Sequence, residues 1–281
     1  MRRILRGKSV KIGLGLIIFM MLCALLAGVL SPNDPMKINM DCRFAAPSPL
    51  FPLGADAYGR CVLSRLLYGA RYSLGLALAV IGGLVVTAVP VGMAAAYKGG
   101  FIEHIFLWLC DISMAIPPTV LVLAIMGVMG NGIANLVFSV MFSYWGWYGR
   151  MVRSYTQTEL SKGYVTYAVT GGASGASVLF RQVFPNIFPG LIVLFVLGIG
   201  DSILMISGYS FLGIGLTGGL PEWGTMLGDA KSILLQAPQY ALYPGACVFL
   251  AVCAFNLFGE GTRKALAIGE VQKEAQEWGE L

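Results

Sequence analysis

Read as a pattern of apolar and polar positions, the chain sets long apolar runs between shorter polar intervals. Runs at roughly 12–30, 72–97, 105–126, 132–149, 187–212 and 240–259 approach or exceed the length of about 20 residues that a helix needs to cross a hydrocarbon core of about 30 Å. The expectation is an all-α polytopic membrane protein with six transmembrane helices. The interval Ser31–Arg71 opens irregularly, with SPNDP and APSPLFP, and ends in the more helical VLSRLLYGARYSL. In the interval Gly149–Pro189, Tyr164 to Phe184 reads as a short helix, a glycine-marked turn and a second short helix. Pro185 and Pro189 favour breaks where the chain re-enters the membrane. Three parts follow: 1–71, a first span with its external segment; 72–265, a core of five spans with the loop 149–189; and 266–281, an acidic tail.

Composition supports this reading. The chain is 57% hydrophobic and 12% charged, against about 25% charged in ordinary soluble domains. Its net charge of +5 is spread over loops rather than gathered on a face, which argues against nucleic acid as a partner. The basic residues set topology instead. Arg2, Arg3, Arg6, Lys8, Lys11, Lys98, Arg150, Arg153, Lys162, Arg181, Arg263, Lys264 and Lys273 fall on one side. Lys37, Arg43, Arg60, Arg65, Arg71 and Lys231 fall on the other. The positive-inside rule then puts both termini and the loop 149–189 in the cytoplasm. The first run is too long for a signal peptide and lacks a convincing small-residue cleavage site, so it reads as a retained span.

Enzymatic chemistry finds little footing. The single histidine, His104, has no HExxH context, and Gly7-Lys8-Ser9 lacks the opening glycine and preceding strand of a phosphate-binding loop. No CxxC pair or Cys/His cluster points to a metal. Cys42 and Cys61 share an external loop, where they either close a bridge or remain two thiols. Asp111 and Asp201 lie alone in apolar runs. An intramembrane protease or a proton-coupled transporter has such carboxylates, but the companion residues are missing and neither accounts for the loop 149–189. Asp111, followed by Ile116-Pro117-Pro118, is expected to meet a buried structural partner. Gly92 and Ala96 are expected to let the second and third spans approach closely. Tyr144-Trp145-Gly146-Trp147-Tyr148 is expected to form an interfacial aromatic belt.

Ala168, then Gly172-Ala173-Ser174, then Phe184-Pro185-Asn186 and Pro189 resemble the cytoplasmic coupling loop, or EAA loop, of permease subunits in ABC importers. Tyr167 stands where the family often has its first alanine, and Gln182 replaces an apolar residue. Leu53-Gly54-Ala55-Asp56, Gly59-Arg60 and Ser64-Arg65 resemble the L-G-T-D-x-x-G-R-D-x-x-S-R signature of the dipeptide, oligopeptide and nickel branch, with Ala55 for threonine and Cys61 for the second aspartate. Ser210 to Gly215, Trp223 to Leu227 and Phe255 to Arg263 are similar to that branch's S-F-L-G-x-G, W-G-x-M-L and F-N-x-x-G-D-x-x-R elements, with Glu260 for the last aspartate.

The resemblance implies a type I importer permease fold working by alternating access in the cytoplasmic membrane of a bacterium or archaeon. It implies a second related permease, an extracytoplasmic solute-binding protein and two cytoplasmic ATPases that bind ATP and Mg. This chain itself would bind no cofactor. Tyr164, Ala168, Gly172, Ala173, Ser174 and Pro185 would couple to the ATPase, and Asp201 and Met205 would line the path. Arg150 to Ser154, and Ile206 where many peptide-type members carry glutamate, lean toward nickel or a small metal chelate, with di- or oligopeptides as the alternative. An ordinary basic cytoplasmic loop with a Gly-rich bend remains the competing reading of 149–189.

Overall fold

The computed structural model describes residues 7–216 and 219–279, with side chains described as far as Leu266. Arg2, Arg3 and Arg6 lie outside the described residues, as do the side chains of Lys273 and the acidic tail. The elements are α1 Lys8–Leu25, α2 Ala27–Leu30, α3 Val62–Lys98, α4 Gly100–Ala115, α5 Pro118–Met129, α6 Ile133–Leu160, α7 Gly163–Thr170, α8 Gly175–Ser177, α9 Phe184–Phe211, α10 Trp223–Ala230 and α11 Gln239–Gly279. A π-helical turn, Val178–Val183, joins α8 to α9. Among the described residues there is no strand, only an isolated bridge between Ala55 and Cys61.

Four helical stretches are long and apolar enough to cross a membrane alone: α1, α3, Gly175–Phe211 and Gln239–Leu266. α4 and α5 make a fifth when taken as one broken span, bent by 86°. The break has a local cause. A residue before proline is pushed out of the helical region, and Ile116 is accordingly extended, while Pro118 opens α5 where its missing N–H costs nothing. The run 132–149 falls in α6, which is not among these stretches because Asn135, Ser139, Ser143 and the Tyr144-Trp145-Gly146-Trp147-Tyr148 cluster dilute its apolar part. Length and composition thus account for four or five of the six expected spans.

α3 and α9 form the centre of the bundle, flanked by α1, α6 and α11. Leu74, Ala77, Leu84 and Ala88 of α3 are buried with Ile203 and Ile206 of α9, Leu136 and Val140 of α6, and Ala251 and Ala254 of α11. Lipid is as apolar as leucine, so packing between spans rests on close approach rather than on hydrophobic contrast. At Gly13 a Cβ would stand 2.8 Å from the Ala254 carbonyl oxygen, which brings α1 onto α11. At Gly92 a Cβ would stand 2.8 Å from the Gly149 carbonyl oxygen. Gly92 therefore seats α3 on α6, the fourth predicted span, rather than on the third.

The expected break at Pro185 is also revised. Gly175–Phe211 is one continuous helical stretch. The wider π turn before Pro185 absorbs the missing N–H and the ring's clash with the preceding turn.

Candidate coupling loop and membrane cavity

α6 projects past its apolar part to Leu160, held to α4 by ion pairs of Arg150 with Asp111 and of Arg153 with Glu103, whose Nε···Oε1 distance is 2.6 Å. Asp111 thus has the partner expected of it, though both side chains are exposed rather than buried. α7 ends in a Schellman motif. The N–H of Ala173 donates to the Ala168 carbonyl (3.1 Å) and that of Gly172 to the Val169 carbonyl (3.0 Å). This geometry needs a left-handed residue at Gly172, whose φ is +84°. Ser174 then caps α8, its hydroxyl oxygen accepting from the Ser177 N–H at 3.4 Å.

The six predicted coupling residues divide by environment. Gly172, Ser174 and Pro185 are exposed, while Ala168 and Ala173 are half-buried. Tyr164 turns its hydroxyl inward. It donates to Oε1 of the buried Glu159 and accepts from Nδ2 of Asn186 at 2.9 Å. Glu159 also pairs with Lys162 at 2.8 Å, and Asn186 donates to the Gln182 carbonyl at 2.7 Å. One phenol thereby joins the end of α6, the start of α7 and the start of α9. Burial, followed by the hydrogen bond and charge of Glu159, pushes its pKa up to about 12.

Sequence reasoning missed the loop's anchors and its outer face. Val165, Val178 and Val183 are the buried anchors, and Tyr97 of α3 lies against Gly175. Tyr167, Val169 and Phe180 are 82%, 48% and 65% exposed. Tyr167, Val169 and Phe180 are a legible signal, since large apolar side chains outside an apolar run mark a surface to be covered.

Asp201 and Met205 share a cavity of about 260 Å³ with Ser143, Tyr144, Trp147, Tyr148 and Ser202, and with Met114 and Pro118 at the α4–α5 break. The Tyr144 hydroxyl donates to the Met205 sulfur at 3.0 Å. The aromatic cluster is therefore not the expected belt. Tyr148 is buried and stacks on Phe195 at 5.3 Å, and Trp145 meets Phe106 edge-on at 5.9 Å. Of the two tryptophans, only Trp147 is exposed.

The signature around Asp56 builds a clamp outside the bundle. Arg60 bonds Asp56 and Asp229, each at 2.8 Å, and the fully buried Arg65 reaches Asp229 at 3.2 Å. Beside it the buried Glu222 accepts from Ser73 (3.0 Å), Ser207 (3.1 Å) and the Thr225 N–H (2.9 Å), capping α10. All six cysteines are free. Cys61 is buried in the bridge with Ala55, and Cys42 accepts from the Asn39 amide instead, so the two thiols do not pair.

Comparison with known proteins agrees with this architecture. The family described as binding-protein-dependent transport system inner membrane component matches residues 88–267. The N-terminal TM domain of oligopeptide transport permease C matches residues 1–47. The nickel transport system permease protein NikC of Escherichia coli (strain K12) is 33% identical over 92% of this chain and 93% of its own length. The glutathione transport system permease protein GsiD of Pectobacterium atrosepticum is 35% identical over 94% of this chain and 88% of its own. The dipeptide transport system permease protein DppC of Alkalihalophilus pseudofirmus is 30% identical over 94% and 87%. An all-helical, multi-pass chain that matches these permeases almost end to end belongs to the binding-protein-dependent inner-membrane transport components, the permeases of ABC importers.

Proposed function

We propose that this chain is one of two related permeases in an importer driven by two cytoplasmic ATPases and fed by an extracytoplasmic binding protein. Both termini face the cytoplasm, and the loop 149–189 docks on an ATPase. The ATPases hold ATP and Mg, and this chain contributes no catalytic residue. Closure of the ATPases moves the loop, and with it the spans that Tyr164 and Tyr97 tie to it, turning the path from inward to outward.

The observation that carries this reading is the loop's two-sidedness. Its inner side is bonded to α6 and α9 through Tyr164, while its outer side presents Tyr167 and Val169 beside the Gly172 turn. A Cβ at Gly172 would meet nothing within 4 Å, so Gly172→Val disturbs the turn's left-handed geometry and the approaching surface, not the chain's own packing. That strain is about 1–2 kcal/mol. Gly172→Val should leave the protein inserted and paired with its partner permease while abolishing uptake and ligand-stimulated ATP hydrolysis by the complex. Thr158→Val, which loses an exposed hydroxyl bonded within α6, should be mild. Wild-type uptake by Gly172→Val in reconstituted vesicles sinks the coupling assignment and leaves the ordinary basic loop.

For cargo, nickel or a small metal chelate is favoured by Arg150 to Ser154 and by the apolar Ile206. A peptide cargo is the second reading, since dipeptide and di/tripeptide permeases are as similar to this chain as a nickel permease is. Native mass spectrometry of the partner binding protein with its bound ligand separates the two.

A further inference from the structure

Asp201 stands ten residues before the end of α9 at Phe211. That is about 15 Å of helix, within the apolar run 187–212, and the Asp201 side chain is exposed on the helix surface. A carboxylate in such a run is costly unless charge or hydrogen-bond donors meet it. Asp111 has Arg150, Glu103 has Arg153, and Glu222 has two hydroxyls and an N–H. The Asp201 carboxylate has no hydrogen bond or ion pair among the described residues, and it lines the 260 Å³ cavity.

The cavity's other walls suit a positive guest. Val80, Leu84, Pro118 and Val140 make part of the wall apolar; no basic side chain among the described residues lines it, and Tyr144, Trp147 and Tyr148 contribute aromatic rings, which attract cations. Ser143 and Ser202 bring hydroxyl oxygens, and Met114 and Met205 bring polarizable sulfurs. The wall is also built by close fit. One turn before Asp201, Gly198 leaves room for the Tyr148 hydroxyl, which a Cβ there would meet at 1.9 Å. The volume holds an ion with several waters, each taking about 30 Å³.

We infer that this cavity is an intramembrane site for a compact cation, a divalent metal ion with part of its water shell or an organic ammonium group, with Asp201 as the counter-charge. A single carboxylate with weak neutral donors holds such a guest loosely, as a path requires if the guest is to leave again. The inference rests on the assignment of Asp201 and Met205 to the path and narrows it to positively charged cargo.

The test uses the untagged, purified importer complex without nucleotide, in equilibrium dialysis with two probes taken separately: radioactive Ni²⁺ alone, and radiolabelled glycinamide, a compact ammonium without a carboxylate. Saturable binding of at least one probe is expected. Asp201→Asn should weaken it about tenfold or more. Asp201→Glu, which keeps the charge, should stay within about twofold, as should Asp34→Asn on the exposed external segment. A response to Ni²⁺ alone assigns the site to metal, and a response to glycinamide alone assigns it to an amine. No binding of either probe, or equal binding by Asp201→Asn, overturns the site. Loss of the second permease from the purified Asp201→Asn complex overturns it too, because Asp201 would then be serving the subunit interface. A failed dialysis beside an inactive Gly172→Val complex removes the site and leaves the permease reading standing.

Discussion

At Tyr164 one hydroxyl satisfies a donor's and an acceptor's need at once, between the Glu159 carboxylate and the Asn186 amide. Tyr164→Phe removes the donor and leaves the buried Glu159 with Lys162 alone, at a cost of about 1–3 kcal/mol, nearer the lower end because Tyr164 is itself partly exposed. Hydrogen exchange should report this as roughly three- to tenfold faster amide exchange in α7, with little change in α3. The pH dependence follows from the raised pKa. The folded state holds the phenol's proton more tightly than the ordinary value of 10.0. The hydroxyl's contribution to stability is therefore complete below about pH 10 and lost as pH rises toward about 12. The Tyr164→Phe difference in exchange should accordingly be the same at about pH 6 and about pH 8, once intrinsic rates are divided out. Tyr164 was legible as part of the loop, but its inward direction was not. It is fixed by Glu159 five positions back and Asn186 twenty-two positions on, and the second spacing leaves no periodic trace.

α10 is the element whose position depends most on small residues. At Gly69 a Cβ would stand 2.6 Å from the Trp223 ring, and at Gly224 one would stand 2.3 Å from the Ser207 carbonyl oxygen. The helix is thus pressed onto both α3 and α9, with the Trp223 indole N–H donating to the Leu66 carbonyl at 3.1 Å. Gly224→Ala should force α10 outward and cost about 1–3 kcal/mol, read as a lower thermal midpoint of the purified protein and faster proteolysis near Pro221. The motifs of this region were legible as motifs, since their residues lie close together in sequence. Their joint purpose was not, because Asp229 meets Arg60 across a separation of 169 positions. Helix ends followed a similar rule. The apolar run marked only part of α3, which begins at Val62 and is largely buried through Ala70 as well, and α6 continues to Leu160, because helix propensity and capping do not stop where lipid does. The α4–α5 break was written in Ile116-Pro117-Pro118, yet apolar length alone read through it.

For the whole molecule, orientation is the property that charge alone predicts, and labelling decides it directly. In a cysteine-free background, Ser48→Cys should react with a membrane-impermeant maleimide added outside intact cells, and Ser161→Cys only after permeabilisation. Both serines are exposed, so accessibility reports the side rather than burial. Labelling of both from one side would remove the assigned topology. If the loop does meet an ATPase, the continuous stretch Gly175–Phe211 has a mechanical consequence. At 37 residues it is about 55 Å long. A rod of that length, gripped near its middle by α3, α6 and α11, tilts when its cytoplasmic tip is pushed. A stroke of about 5 Å at that tip swings the opposite end about as far the other way, a tilt of about 10°. No relay of side chains is then needed to carry motion across the bilayer. The ladder of such a rod is interrupted at the π turn Val178–Val183 and again at Pro189 inside α9, so a change that stiffens the π turn would alter the length of the stroke without touching the surface that receives the push.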